Sequence, residues 1–210
     1  MDKIFPYNIF KFKIEDYKNL NKNLISEIYD LKDELPDGID RSNVGGWHSP
    51  AFSNFKPNKI YLEKLRKIIS DYFNKEISIL NKDIGLNNVW ININKKHNHN
   101  MIHDHHKSFY SGVYYVKVPE NSGNLYFYNP EIWFTDAIEK PELFLNKKYE
   151  KEKVEYNSEE GDLYFFVGNL PHGVSKNLSD EDRISISFNF NFGDIRKQLK
   201  FKESNGYITR

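Results

Sequence analysis

The stretch RISISFNFNF, residues 183 to 192, alternates strictly between polar and apolar side chains. Arg183, Ser185, Ser187, Asn189 and Asn191 fall on one face; Ile184, Ile186, Phe188, Phe190 and Phe192 fall on the other. That two-residue period is the signature of a β-strand. In an ordinary half-buried strand the polar face would simply meet water. Two further segments argue otherwise, since VWININ (89 to 94) alternates Trp90, Asn92 and Asn94, and SGVYYVKV (111 to 118) carries Ser111 and Tyr115 in the same manner. A barrel with a polar pocket inside it accounts for all three strands together.

GNLYFYN at 123 to 129 and GDLYFFVG at 161 to 168 add two more strand-like runs. Upstream the period changes. Ile14, Tyr17, Leu20, Leu24, Ile28, Leu31 and Leu35 recur at three- and four-residue spacing, predicting a helix over 14 to 35 that ends before Pro36. A second helix is expected from about Lys59 to Leu80. Between them RSNVGGWHSP reads as loop, with Trp47 either a lid or packing. Helices first and strands later predict an α+β fold with an antiparallel core. A single domain over 1–210 is expected: a helical flank and loop to about 82, a core over about 83–195 and a tail over 196–210. The charged, aperiodic segment 131 to 153 reads as a long insertion over one barrel mouth.

Composition excludes several classes of function. The 30 basic and 30 acidic residues cancel and intersperse, which argues against nucleic acid as partner. The absence of cysteine excludes disulfides, zinc–thiolate sites and thiol nucleophiles. No stretch approaches the roughly 18 to 20 apolar residues of a membrane helix, and the start MDKIFPYNIFKFKI lacks the apolar centre of a signal peptide. A cytoplasmic protein without a membrane partner is expected.

Five of the seven histidines lie in HNHNMIHDHH, at 97, 99, 103, 105 and 106, and His172 follows a strand-like run in LPHGV. If the chain is extended at 103 to 105, His103 and His105 project from one face and Asp104 points away. A third ligand must come from chain that returns across the pocket, and His172 is the candidate. The alternative is a solvated histidine-rich loop that binds metal adventitiously. Arg183 weighs against that alternative. It opens the most polar strand, where a buried guanidinium needs an anion, and it can hold a carboxylate through paired hydrogen bonds with Ser185 adding a third. A structural salt bridge is the competing role for Arg183.

Taken in order, SNVGGWHS (42 to 49), WININ (90 to 94), HDHHKSFYSGVYYVKVP (103 to 119), SGNLYFYNP (122 to 130), EGDLYFFVGNLPHGV (160 to 174) and RISISFNF (183 to 190) resemble the iron(II)- and 2-oxoglutarate-dependent oxygenases. Within them the nearest branch is the prolyl-hydroxylase-like one common in marine phages and bacteria. The resemblance implies a double-stranded β-helix, a jelly-roll or cupin-like barrel, flanked by N-terminal helices. It implies Fe(II) held by His103, His105 and His172, and 2-oxoglutarate gripped by Arg183 and Ser185, with Tyr115 and Asn92 as further contacts. It further implies dioxygen and a primary substrate as partners, with decarboxylation of 2-oxoglutarate coupled to C–H oxidation. An aromatic wall from Trp90, Tyr114, Tyr115 and Phe127 is expected around the site. One departure stands out: the usual second ligand is Asp or Glu, and position 105 is histidine. A third neutral imidazole leaves the centre one unit more positive and makes zinc, nickel or copper harder to exclude. Two other readings follow from that departure, a cupin-like non-oxidative metalloprotein and an inactive barrel acting as a binding module.

Overall fold

The computed structural model describes residues 7–52, 59–77, 84–130 and 153–192. In chain order the elements are β1 (Phe10–Lys13), α1 (Tyr17–Glu34), β2 (Asn43–Val44), β3 (Trp47–His48), α2 (Ile60–Tyr72) continuing into a π-helical turn at Phe73–Ile77, β4 (Ile84–Asn94), β5 (His99–His103), β6 (Tyr110–Lys117), β7 (Leu125–Tyr128), β8 (Lys153–Tyr156), β9 (Asp162–Val167), β10 (His172–Val174) and β11 (Arg183–Phe192). They form two antiparallel sheets, one in the order β1-β9-β6-β11-β4-β3 and the other β2-β5-β10-β7-β8. With two helices on the outside, this is the α+β fold with an antiparallel core anticipated from the strand patterns, and it agrees with the double-stranded β-helix that the resemblance implies.

Strand β11 occupies the centre of the larger sheet, between β6 and β4. Its apolar residues Ile184, Ile186, Phe188 and Phe190 are buried in one cluster with Leu24, Ile28 and Leu31 of α1 and Leu65 and Ile69 of α2. Each such side chain contributes about 1.5–3 kcal/mol on burial. Phe73 stacks on Phe190 at a centroid distance of 3.9 Å. The helices therefore cover the outer face, and the polar face of β11 looks inward. Its neighbours continue that face in rows: Asn92, Ser185 and Tyr115 are register partners, then Trp90, Ser187 and Val113, then Asn88, Asn189 and Ser111. A second apolar cluster, with Val113 and Tyr115 of β6, Tyr164 and Phe166 of β9 and Phe127 of β7, fills the space between the sheets at one end.

Several boundaries differ from expectation. The first helix begins at Tyr17, and Ile14 is buried ahead of it. The second gives way after Tyr72 to the π turn, and its expected end at 78 to 80 lies outside the described residues, as do 131–152 of the insertion and the tail at 196–210. The segment expected as loop contains two two-residue strands, β2 and β3. Strands β1, β8 and β10 were not anticipated, being only three or four residues long and so too short to display a period. β1 is instead held by charge: Lys11 and Lys13 reach the buried Asp162 at 2.9 and 2.8 Å. Trp47 is packing, buried and donating its indole N–H to Leu35 O at 2.8 Å. No helix among the described residues is long and apolar enough to cross a membrane.

Candidate metal centre

Strand β5 ends at His103 and β10 begins at His172, and these two residues are register partners across the ladder. His105 lies beyond the strand, because the extended chain expected through 105 stops at His103. A turn brings it back: His105 N–H donates to Gly168 O and Ser108 N–H donates to His105 O, both at 2.7 Å. The ring centroids lie 4.4 Å (103 to 172), 5.0 Å (103 to 105) and 5.1 Å (105 to 172) apart. One ring nitrogen from each lies within 4.8 Å of the others, the only such group of histidines and acids among the described residues. His97, His99 and His106 stay outside it.

Backbone contacts select the tautomers. His103 Nδ1 lies 2.8 Å from Met101 O and His172 Nδ1 lies 2.8 Å from Leu170 O. A carbonyl can only accept, so Nδ1–H donates and Nε2 keeps the lone pair a metal needs. Burial favours the neutral form throughout. It lowers His103, brings His105 down to about 4 with help from neighbouring His103, and holds His172 well below the ordinary histidine value, with His103 and His105 adding to the effect. Neutral imidazole is the ligating form. Asp104 supplies no ligand here; its carboxylate accepts from His106 N–H at 3.1 Å.

Behind the triad an inner cavity is lined by Asn92, Ser185, Ser187 and Phe166 along with the three histidines. Asn92 Nδ2 donates to Ser187 Oγ at 3.2 Å while Asn92 Oδ1 has no partner. Arg183 is 1% exposed. Its Nη1 donates to the carbonyls of Ser122 and Ser175, and its Nη2 has no partner. No carboxylate pairs with it among the described residues, so the structural salt bridge is absent there. Burial lowers the Arg183 pKa and the nearby Tyr115 raises it. The Tyr115 hydroxyl is itself buried without a hydrogen bond of good geometry. The unpaired Nη2 of this guanidinium and the poorly bonded Tyr115 hydroxyl beside it together cost several kcal/mol in the absence of an acceptor, roughly.

The aromatic wall needs one correction. Tyr114 faces the helices, donating its hydroxyl to Asn21 Oδ1 at 2.6 Å, because adjacent residues of a strand point to opposite sides. Trp90 lies 5.5 Å from the His105 ring and Phe127 lies 6.2 Å from the His172 ring. In front of the triad an open cleft of about 700 Å³ is lined by His48, Trp90, Arg41, Asn88 and Asn189 among others. His48 and Arg41 had not been singled out as site residues, since neither stands in a periodic run that would have marked it. Burial lowers the His48 pKa, with Arg41 and His103 lowering it further against the opposing contact to Ser49.

The family model described as "Putative 2OG-Fe(II) oxygenase" matches residues 88–189, a span that holds all three histidines and Arg183. Over that span the chain matches the 2-oxoglutarate- and iron(II)-dependent oxygenases. No curated protein matches the sequence. Solved structures share the fold at low identity. A prolyl-4-hydroxylase from Pseudomonas putida has 13% identity and a TM-score of 0.61, covering 89% of this chain and 93% of its own. A prolyl hydroxylase from Trichoplax adhaerens, in complex with a hypoxia inducible factor peptide fragment, has 12% identity and a TM-score of 0.64, covering 91% and 86%. HygX from Streptomyces hygroscopicus, with nickel and 2-oxoglutarate bound, has 12% identity and a TM-score of 0.62, covering 90% and 83%.

The residues of this site fit the two groups that the matched family uses. Three convergent nitrogen donors suit a divalent first-row metal and leave coordination positions free. The unpaired Arg183 Nη2 and the poorly bonded Tyr115 hydroxyl are the donors that a buried carboxylate of 2-oxoglutarate would satisfy.

Proposed function

We propose that the chain is a hydroxylase in which His103, His105 and His172 hold Fe(II), while Arg183, Ser185, Tyr115 and Asn92 hold 2-oxoglutarate. The observation that carries this reading is the buried Arg183, unpaired by any described carboxylate, on the same strand face as residues that line the cavity behind the histidines. When bound, iron and 2-oxoglutarate supply the oxidising chemistry, spending dioxygen and the keto acid to oxidise a C–H bond.

The protein's own contribution is positional. Backbone carbonyls at Met101 and Leu170 aim Nε2 of two histidines at one point. Carbonyls of Ser122 and Ser175 fix the Arg183 head so that its second edge faces an incoming carboxylate. Asn92 and Tyr115 are both register partners of Ser185, so a single cross-strand row presents three hydrogen-bonding groups to the cosubstrate. Phe166 and Phe127, 4.6 and 6.2 Å from the His172 ring, keep water from that side. The primary substrate, of unassigned identity, enters from the open cleft on the Trp90 side.

Anaerobic titration of the metal-free protein with Fe(II) and then 2-oxoglutarate tests the reading. A visible charge-transfer band is expected, and Arg183→Ala should need far more 2-oxoglutarate to produce it. Metal binding without any such band removes the cosubstrate assignment. A three-histidine site also suits zinc and non-oxidative hydrolysis; absence of oxygen consumption by the iron-loaded protein would favour that alternative.

A further inference from the structure

The cleft in front of the histidines carries a cation that neither metal nor cosubstrate binding uses. Arg41 lines it together with His103, His105, His48 and Trp90. Met101 N–H donates to Ser42 O at 2.8 Å, extending the β2–β5 pairing of Asn43 with Asn100 by one step. Arg41 comes next along that line, beside the strand that ends at His103. Its own backbone is fixed by a turn in which Arg41 N–H donates to Asn43 Oδ1 at 2.8 Å. Burial lowers the His48 pKa and the charge of Arg41 lowers it further, so the guanidinium lies within electrostatic reach of the cleft's inner wall.

Arg41 is also the unspent charge of the cleft. Its guanidinium donates from Nη1 to Asp40 O at 3.1 Å and pairs with no carboxylate among the described residues. The acid of the same lining, Asp104, is engaged: its Oδ1 accepts from His106 N–H and faces His106 Nδ1, both at 3.1 Å. The metal centre does not repel an anion either. Three neutral imidazoles bring no negative charge, so a divalent metal and the 2-oxoglutarate dianion cancel, whereas a carboxylate in place of His105 would leave the loaded centre negative. An anion entering the cleft therefore meets a free guanidinium beside a neutral centre. Much of the remaining lining is apolar, from Ile39, Pro50, Ala51, Trp90 and Ile102, and a volume of about 700 Å³ suits a small molecule.

We propose that Arg41 is a specificity-determining residue for a small amphipathic acid, whose carboxylate it binds through paired N–H donors while the apolar body lies over Trp90 toward the metal. The proposal rests on the oxygenase reading for what happens to that acid, but not for its binding.

The test uses full-length protein loaded with Co(II) and saturating 2-oxoglutarate. The probes are hexanoate and hexanamide, which share an apolar body and differ in charge. Calorimetry reads affinity, Co(II)-induced broadening of the probe's NMR lines reads proximity to the metal, and the visible ligand-field spectrum reads coordination. Hexanoate is expected to bind more tightly than hexanamide, to be broadened by Co(II) and to leave the ligand-field spectrum unchanged. Arg41→Gln should weaken hexanoate binding about 5- to 10-fold, the loss of a partly exposed charge-assisted pair, and leave hexanamide binding unchanged. Arg41→Lys, which keeps the charge without the planar fork, should recover part of the loss. Both substitutions fall at an exposed position between α1 and β2, where folding tolerates change. The proposal is overturned if hexanoate does not bind, if it binds no better than hexanamide, if Arg41→Gln leaves its affinity unchanged, or if the ligand-field spectrum shows the acid on the metal. Failure of the oxygenase reading shows separately, as loss of 2-oxoglutarate binding by the metal-loaded protein before any probe is added; the Arg41→Gln comparison is then made on metal-free protein, where unchanged hexanoate affinity again overturns the proposal.

Discussion

His103 and His172 face each other as register partners on adjacent antiparallel strands, with ring centroids 4.4 Å apart. Because both rings are aimed by backbone carbonyls, removing either leaves the other two imidazoles in place with an incomplete site. His172→Ala should lower iron affinity by more than the roughly 10–100-fold that loss of an outer-shell partner costs. Calorimetric metal titration of the folded variant checks this, and unchanged affinity would remove His172 from the ligand set.

Arg183→Lys should retain metal and lose cosubstrate. Lysine keeps the positive charge but lacks the planar fork that serves the Ser122 and Ser175 carbonyls while presenting a second edge. Loss of a charge-assisted hydrogen bond worth about 1.5–3 kcal/mol raises the half-saturating 2-oxoglutarate concentration by roughly 10- to 100-fold. Equal losses of iron and 2-oxoglutarate binding would contradict this separation of roles.

Asp162 ties β1 to β9 and makes stability acid-dependent. Burial alone would raise its pKa, but hydrogen bonds from Lys13, Lys11 and the Glu159 N–H outweigh burial and hold it below the usual carboxylate value. A depressed folded pKa gives stability that is complete above the unfolded pKa near 3.8 and is lost as pH falls through the folded value. Asp162→Asn should cost about 1–2 kcal/mol at neutral pH, a modest figure because both lysines are half exposed. Thermal melts should show wild type and variant differing by roughly 2–8 °C at pH 7 and converging below pH 4, approximately.

Gly112 lies where β6 meets both β9 and β11. A Cβ there would clash with Tyr164 O and the Phe188 ring. Gly112→Ala should destabilise the fold by about 1–3 kcal/mol through overpacking, without removing any site residue. Denaturant titration reads the loss; a variant as stable as the parent would mean that the sheet yields at this point.

The strands and helices that were legible in the sequence are those long enough to display a period. β11 matches RISISFNFNF residue for residue, and α1 buries Leu20, Leu24, Ile28 and Leu31 as the four-residue spacing requires. Strands of three or four residues, such as β1 and β10, were not legible, since they exist through pairing and, for β1, through ion pairs with Asp162. The histidine triad was nameable because His103, His105, His172 and Arg183 stood in an ordered pattern. The place of His48 in the cleft lining was not, because one histidine in a glycine-rich loop carries no period and no partner in sequence.

The sequence by itself determined the alternation of β11, hence that polar and apolar side chains would take opposite faces, and it determined that no cysteine chemistry is available. Only the tertiary structure decided which face turned inward. Alternation separates Tyr114 from Tyr115, but packing of α1 and α2 on one side of the sheet assigns Tyr114 to Asn21 and leaves Tyr115 beside Arg183. Likewise the local spacing of the histidines said nothing of the approach of β10 to β5. That contact depends on long-range hydrogen-bonded register, which a one-residue slip would invert, and it brings His172 to within ligand distance of His103 and His105.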